Sequence, residues 1–448
     1  MNPFPKFAQA TRTALSDRSL IRDIATLGGG AIAAQVINFG FYPLLTRQYT
    51  PGDFGDLGIF MSFIAVLTPV AGLAYYWAII LPTSERRALR ILIVSCISGI
   101  GLSGVLAIAI AVLSRVGGLA ALQLRHEGVA HLLAPCLAFM AIMLALQQWQ
   151  TRDRQFVRLS LSGLVQTLTA NVPRAILGFQ GPNSLTLVVT YVVSIVAQTA
   201  FLIPWGRMAA FARRPFSISV KQLWVTAWEY RRYPLFRAPQ DWLSATSQSL
   251  PVLLLGFFYG PTEAGLYVLS RSIIGAPLDL VGNAVGGAIY PRYAEASNGG
   301  VSIAPPIRQH ILVLLIFGIT PLVAITPFLP WGFSVLFGNE WLEAGQYGMF
   351  LGAWLFSNLL TVPCIRAVPV LAAERLQLGL GVMTMIGRAA ALGGTAAIGG
   401  SALTAVALYC VFGILANLVV TWAIYDRARV QGNSLPTAGL PRSSVSSN

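Results

Sequence analysis

Two short stretches organise the chain: Pro51-Gly-Asp53-Phe-Gly55-Asp56-Leu57 and Pro261-Thr-Glu263-Ala-Gly265-Leu-Tyr267. Proline, an acidic residue and glycine recur in both at one offset of 210 residues, and each copy opens a long apolar run. The ends of those runs match at the same offset, Ala78-Ile79 with Ala288-Ile289. Further along each half an arginine interrupts an apolar run, Arg174 and Arg388, at an offset of 214. Self-similarity at such a period fixes an architecture before any local motif does. Two turns that merely share turn-forming residues would give the same letters; their equivalent placement in the two halves favours a repeat.

Outward from the two copies lie windows of about 20 apolar residues, the length that crosses hydrocarbon. They fall at 24–46, 57–81, 90–113, 129–149, 159–180, 184–205, 239–259, 264–290, 310–330, 345–366, 376–397 and 402–425, which makes twelve spans. Six precede an Arg-rich segment at 207–237 and six follow it. Six is even, so both halves run in the same direction, as in parallel-repeat transporters whose substrates sit at the repeat interface. The expected fold is an all-α membrane protein of twelve transmembrane helices in two six-helix lobes around a central cleft. Its expected parts are a cytoplasmic tail (1–23), an N-lobe (24–206), an amphipathic cytoplasmic linker (207–237), a C-lobe (238–426) and a disordered, serine-rich tail (427–448).

Composition agrees. Of 448 residues, 55% are hydrophobic and 10% charged, against about a quarter charged in soluble domains. The soluble-enzyme and disordered classes are excluded, and the mean hydropathy of +0.68 points the same way. Thirty basic and sixteen acidic residues leave a charge of +14, carried almost wholly by arginine. With the N-terminus inside, the outer loops hold only Arg47, Arg115 and Arg125. The alternate loops and tails hold the rest of the loop arginines, among them Arg86, Arg87, Arg152, Arg154, Arg292, Arg308, Arg427 and Arg429. That asymmetry sets both termini in the cytoplasm. The first 23 residues, with Lys6, Arg12, Arg18 and Arg22, have no short apolar core ending in a cleavage motif, so no removable signal peptide is expected. Cys96, Cys136, Cys364 and Cys410 lie in apolar runs without CxxC pairing and read as core residues. His126, His131 and His310 lack metal-ligand spacing, and no GxxxxGK[ST] loop is present, so neither a metal site nor an ATP-hydrolysing module is expected.

Ionisable groups inside spans are costly in hydrocarbon and are functional candidates by default. Arg174, Arg271 and Arg388 qualify, and an arginine fork matches phosphate oxygens while keeping its charge. Asp279 follows Arg271 by eight residues, about 12 Å along a helix axis, a separation expected to preclude direct contact. Asp241 begins span seven; Asp279 and Asp241 are the candidate carboxylates for proton or sodium coupling. Arg366, at the inner edge of span ten, is expected to snorkel to the headgroups. Gln35, Asn38 and Tyr42 share one helix face in span one, and Gln240, Ser244, Ser247 and Gln248 share one in span seven. Gln147, Gln148 and Gln150 cluster near the end of span four, and Tyr75, Tyr76 and Trp77 near the end of span two. These polar stripes suit sugar hydroxyls and the rings suit stacking, although Gln and Ser also bond between helices and Tyr and Trp also anchor spans at interfaces. Every acid of the first half, Asp53 and Asp56 included, is expected in a loop or tail.

Residues Leu45-Thr-Arg47-Gln-Tyr49-Thr-Pro51-Gly-Asp53-Phe-Gly55 resemble the first loop of the polysaccharide transport (Wzx-like oligosaccharide flippase) family of the multidrug/oligosaccharidyl-lipid/polysaccharide exporter superfamily. So do Tyr230-Arg-Arg-Tyr-Pro234, the run from Gly265 through Arg271 to Pro277, and Phe337-Gly-Asn-Glu340-Trp341-Leu-Glu-Ala-Gly345. The resemblance covers nearly the whole chain apart from the tails. It implies a V-shaped two-lobed fold in the bacterial inner membrane that moves undecaprenyl-diphosphate-linked oligosaccharide units for surface polysaccharide. Arg174, Arg388, Arg271, Gln35, Asn38 and Gln248 are then the candidate substrate ligands, with no cofactor and with a glycan polymerase and chain-length proteins of the pathway as candidate partners. Two other functions are weighed. A multidrug cation exporter of the same superfamily needs buried acids in its first lobe. A glycan polymerase or ligase needs a catalytic group at the outer face, where Glu340 and Glu343 have no evident partner.

Overall fold

The structure, a computed structural model, describes residues 18–115, 127–204 and 219–434. Lys6, Arg12, Arg125, His126, the first part of the expected linker and the serines at 443–447 lie outside the described residues. Among those described, the helices are α1 (Arg18–Gln48), α2 (Pro51–Ala71), α3 (Glu85–Arg115), α4 (Glu127–His131), α5 (Leu133–Arg152), α6 (Phe156–Leu177) and α7 (Ser184–Leu202). There follow α8 (Val220–Glu229), α9 (Ala238–Tyr259), α10 (Pro261–Asn298), α11 (Ala304–Ile325), α12 (Leu329–Phe337), α13 (Leu342–Ala367), α14 (Glu374–Ala397) and α15 (Ala402–Ser434). No strand occurs among the described residues, and each expected span falls on helix, except that α2 ends at Ala71 and the rest of span two is a turn and a short helix at Tyr75–Ile80. Nine described segments are both long and apolar enough to cross a bilayer. The other three long helices, α1, α6 and α9, have 31, 22 and 22 residues and carry more polar side chains: Gln35 and Asn38 on α1, Asn171 and Arg174 on α6, Gln240 and Gln248 on α9. α15 runs on to Ser434, past the expected start of the tail at 427.

The chain divides into two compact units, up to Gly265 and from Leu266. In the first, α2 is the central helix and packs on α3, α5, α7 and α9, while α1 pairs with α6 and α6 with α7. Span seven, α9, therefore belongs to the same compact unit as the first six spans. α2 starts where the sequence dictates: the Thr50 hydroxyl accepts from the Asp53 amide at 3.3 Å, the Asp53 carboxylate accepts from the Thr50 amide at 3.0 Å, and Pro51 occupies the first turn. That reciprocal cap satisfies amides that no helix can satisfy for itself. Asp53 and Asp56 are thus helical and buried, at 9% and 0% exposed. The expectation that they lie in a loop fails because the cap draws the turn into the helix and α2 buries its whole first half.

The two copies of the repeated motif meet. A Cβ at Gly55 would stand 1.7 Å from the Pro261 carbonyl oxygen, and one at Gly265 would stand 1.8 Å from that of Pro51. Each glycine lies on the proline of the other copy, so the α2 and α10 starts touch backbone to backbone. Between spanning helices hydrocarbon gives no hydrophobic drive, and such close approach at small residues is what gains contact.

In the second unit α13 is the buried helix, packed on α11, α12 and α15, with α14 against α15. Trp341, Tyr347 and Leu351 are at most 2% exposed. Asn417 on α15 donates to Ser357 and Asn358 on α13, both at 2.7 Å. The broad exposed apolar faces, such as Ile97, Ile100, Val105, Ile108 and Val112 on α3, are the surface that acyl chains cover.

Gly55→Ala or Gly265→Ala pushes a methyl into a backbone carbonyl that cannot yield as a side chain would. We expect each to destabilise the purified protein by about 1–3 kcal/mol, the usual cost of overpacking. Gly40→Ala, with open space around it, leaves the thermal unfolding midpoint unchanged.

Candidate transport site

In the first unit the polar residues gather where α1, α6 and α7 meet. Asn171 on α6 donates to the Asn38 side chain on α1 at 2.7 Å. One turn later Arg174 donates through Nε to the Thr190 hydroxyl at 3.0 Å and through Nη2 to the Leu187 carbonyl at 3.2 Å, both on α7. The Arg174 carbonyl accepts from the Tyr49 hydroxyl at 2.9 Å, and Gln48 donates to the Ala175 carbonyl at 3.2 Å. These ties hold the Arg174 backbone while its guanidinium bonds only neutral groups; among the described residues no carboxylate forms an ion pair with it. Gln35 is half-buried on α1, three residues before Asn38. Asn171 and Tyr49 were not foreseen from sequence. An asparagine three residues from an intramembrane arginine was the available signal for the first.

Gln248 stands elsewhere in the first unit, on α9. Gln240, Ser244 and Gln248 recur every four residues and are all exposed, and Gln248 donates to Ser244 at 3.3 Å. An exposed amide ladder on a spanning helix needs water, since acyl chains offer no partner. Asp241, one residue after Gln240, is engaged on both oxygens: Trp77 donates to Oδ2 at 3.0 Å and Arg237 pairs with Oδ1 at 3.1 Å. Arg237 also lies over the Trp77 ring at 4.9 Å. Tyr75 and Tyr76 are buried in the core, and Gln150 ties α5 to the Leu202 carbonyl at 2.6 Å, so these candidates act between helices. The described part of the linker, from residue 219, holds α8, whose Val220, Trp224, Val225 and Trp228 are exposed, and a short helical turn at Tyr233–Arg237. Beside it the Tyr230 hydroxyl is raised above its ordinary pKa, by partial burial first and the Glu229 charge next.

In the second unit Arg271 and Asp279 form a direct ion pair at 3.1 Å, which corrects the expectation from their separation. Gly275 is the reason. It lies one turn beyond Arg271, and a Cβ there would fall 1.4 Å from the Arg271 Nη1. The absent side chain leaves a trough along which the guanidinium reaches a second turn. Arg366 likewise lies across α10 at Gly286, where a Cβ would meet its Nε at 2.5 Å, so it is packed on a helix.

Arg388 on α14 is 9% exposed. Its guanidinium carbon is 4.6 Å from the Trp354 ring centre and 5.3 Å from that of Tyr409, and those rings stand edge to face. Gly413 makes room for this cage: a Cβ there would lie 2.6 Å from Trp354 and 2.9 Å from the Arg388 Nη2. The aromatic faces attract the cation, yet Arg388 Nε and Trp354 Nε1 have no hydrogen-bond partner among the described residues. No local sequence pattern joins Trp354, Arg388 and Tyr409, which come from three helices. Tyr409 also stands edge to face with Tyr267, one turn before Arg271 on α10. Among the described residues no three His, Cys, Asp or Glu side chains gather as a metal set.

These features define a multi-pass membrane protein with cationic side chains on its spanning helices. The family described as polysaccharide biosynthesis protein matches residues 44–346, and the chain belongs to it. No curated protein sequence matches significantly. Among solved structures, the chain is similar to an inward-facing multidrug resistance MATE family transporter of the MOP superfamily, at 14% identity over 90% of this chain and 96% of that one, TM-score 0.69. It is also similar to the lipid II flippase MurJ in an inward closed conformation, at 10% identity over 91% and 90%, TM-score 0.67. A third is a MOP superfamily transporter from Pyrococcus furiosus with a binding pocket of reverse polarity, at 16% identity over 92% and 96%, TM-score 0.56. At these identities the likeness shows the fold, all-α with twelve helices in two lobes.

A buried charge without a carboxylate is seldom retained for stability. Arg388→Met is therefore expected to unfold at or above the temperature of the unmodified protein in a thermal melt, while transport falls; a clear drop in melting temperature would make the cage a structural staple.

Proposed function

We propose that the protein is an inner-membrane flippase that translocates undecaprenyl-diphosphate-linked oligosaccharide repeat units, for O-antigen, capsule or exopolysaccharide, by alternating access. The observation that carries this is the state of Arg174 and Arg388, two guanidiniums on spanning helices with no carboxylate paired to either among the described residues. Phosphate oxygens of a diphosphate head are the anions that each arginine lacks, and an arginine fork binds such oxygens two at a time. The polysaccharide family and the fold shared with a lipid II flippase support a lipid-linked glycan as cargo. Asn38, Gln35 and the exposed Gln248 are assigned to sugar hydroxyls.

Each negative charge moved outward gains about 2.3 kcal/mol per 100 mV of inside-negative potential, so voltage favours export. Proton or sodium coupling, if used, runs through Asp279 or Asp241 and requires release of Arg271 or of Arg237 and Trp77. Both termini then lie in the cytoplasm, and glycan polymerase and chain-length proteins are the partners downstream.

A second function, cation export, gains a specific observation: Asp53 and Asp56 are buried in α2. Asp53 is committed to the Thr50 cap, and a variant at Asp56 tests this function.

Arg174→Ala with Arg388→Ala is expected to stop surface glycan export at normal protein abundance and to pile up inward-facing lipid-linked units. Undiminished export in that double variant removes the anion cradle. If instead Asp56→Asn abolishes cation resistance and leaves glycan export intact, the cation exporter is the better assignment.

A further inference from the structure

A cleft of about 500 Å³ opens between α11 and α15 in the second unit, at the end that the arginine distribution assigns to the cytoplasm. Its mouth carries Arg308 and Gln309 from α11 and Arg429 from α15. Deeper on α11 the wall turns apolar through Leu312, Val313 and Ile316, which are 44%, 45% and 63% exposed. From Arg308 to Ile316 is about 12 Å along the helix, so a polar rim gives way to hydrocarbon within two turns.

Both guanidiniums at the mouth are exposed, and neither forms a hydrogen bond or ion pair with a described residue. The nearby acid on α15, Asp426, lines a separate cleft with Arg427. Two like charges thus border one opening, with no carboxylate paired to either among the described residues. An anion there relieves their repulsion, and an acyl chain attached to that anion covers the apolar wall below. We infer that this cleft binds an anionic phospholipid of the cytoplasmic leaflet, its phosphate between Arg308 and Arg429 and one chain along Leu312 to Ile316. Basic pockets between spanning helices on that side select acidic headgroups for this reason. The site is distinct from the groups assigned to cargo, and it depends on membrane embedding, not on which cargo is carried.

The test uses the purified full-length protein and native mass spectrometry with matched phosphatidylglycerol and phosphatidylcholine. The unmodified protein is expected to retain phosphatidylglycerol preferentially. Each of Arg308→Gln and Arg429→Gln lowers that preference roughly five-fold and the pair about thirty-fold, the size expected of basic groups at an anionic leaflet. Arg308→Lys with Arg429→Lys keeps most of the preference, which separates charge from misfolding. Ile316→Trp, which fills the apolar end and spares the charges, weakens retention of either lipid. Equal retention of the two lipids by the unmodified protein, or a preference that survives the double glutamine variant, overturns the assignment. Inorganic phosphate displacing the lipid at low concentration makes it a free-anion site and overturns it too, as does undecaprenyl diphosphate binding there in place of phospholipid.

Discussion

Hydrocarbon cannot accept or donate a hydrogen bond, so every polar group on a spanning helix must end against protein or against water. This constraint sorts the polar residues of the chain. Asn38 and Asn171 satisfy one another across α1 and α6, and Asn417 reaches Ser357 and Asn358 across α15 and α13. The α9 ladder of Gln240, Ser244 and Gln248 ends on no other helix and is exposed. The first two sets hold helices together; the third marks a wet face. The same residue types therefore do opposite things, and only their surroundings tell which.

Arginine follows the same logic with larger energies. Arg271 finds Asp279 because Gly275 clears its path, Arg174 finds neutral oxygens on α7, and Arg388 finds aromatic faces. In the last two the positive charge is held in place without being cancelled. In each case the guanidinium is held by neutral neighbours, with no carboxylate paired to it among the described residues. Glycine is the enabling residue throughout, at Gly275 for the ion pair and at Gly413 for the cage. At Gly55 and Gly265 it permits the backbone contact between the two motif copies. Small residues in this chain are less about flexibility than about letting a longer neighbour lie where a side chain would have been.

Much of the architecture was legible because a bilayer imposes simple rules on sequence. Every apolar window fell on helix, and the repeated Pro/acid/Gly motif, read as marking equivalent helix starts, proved to be two segments that touch. The candidate site was legible only as a list. Arg174, Arg271 and Arg388 were singled out for lying in hydrocarbon, but the same reasoning assigned them no distinct environments. The separation of Arg271 and Asp279 misled because axial rise treats a helix as a uniform rod and ignores a trough at Gly275. Asp53 and Asp56 misled because a capped turn looks like a loop until the helix it starts is seen to bury it.

By itself the sequence determined the number of spans, the sign of the charge carried into them, and the family. Those properties depend on hydropathy, loop arginines and local motifs, all of which are read along the chain. Tertiary structure alone decided which polar groups are consumed between helices and which stay available. It also decided that Trp354 and Tyr409 enclose Arg388 and that Arg308 and Arg429 share a cleft. Those pairings join residues from different helices. Their partners are set by helix rotation and packing, which a one-dimensional pattern does not encode.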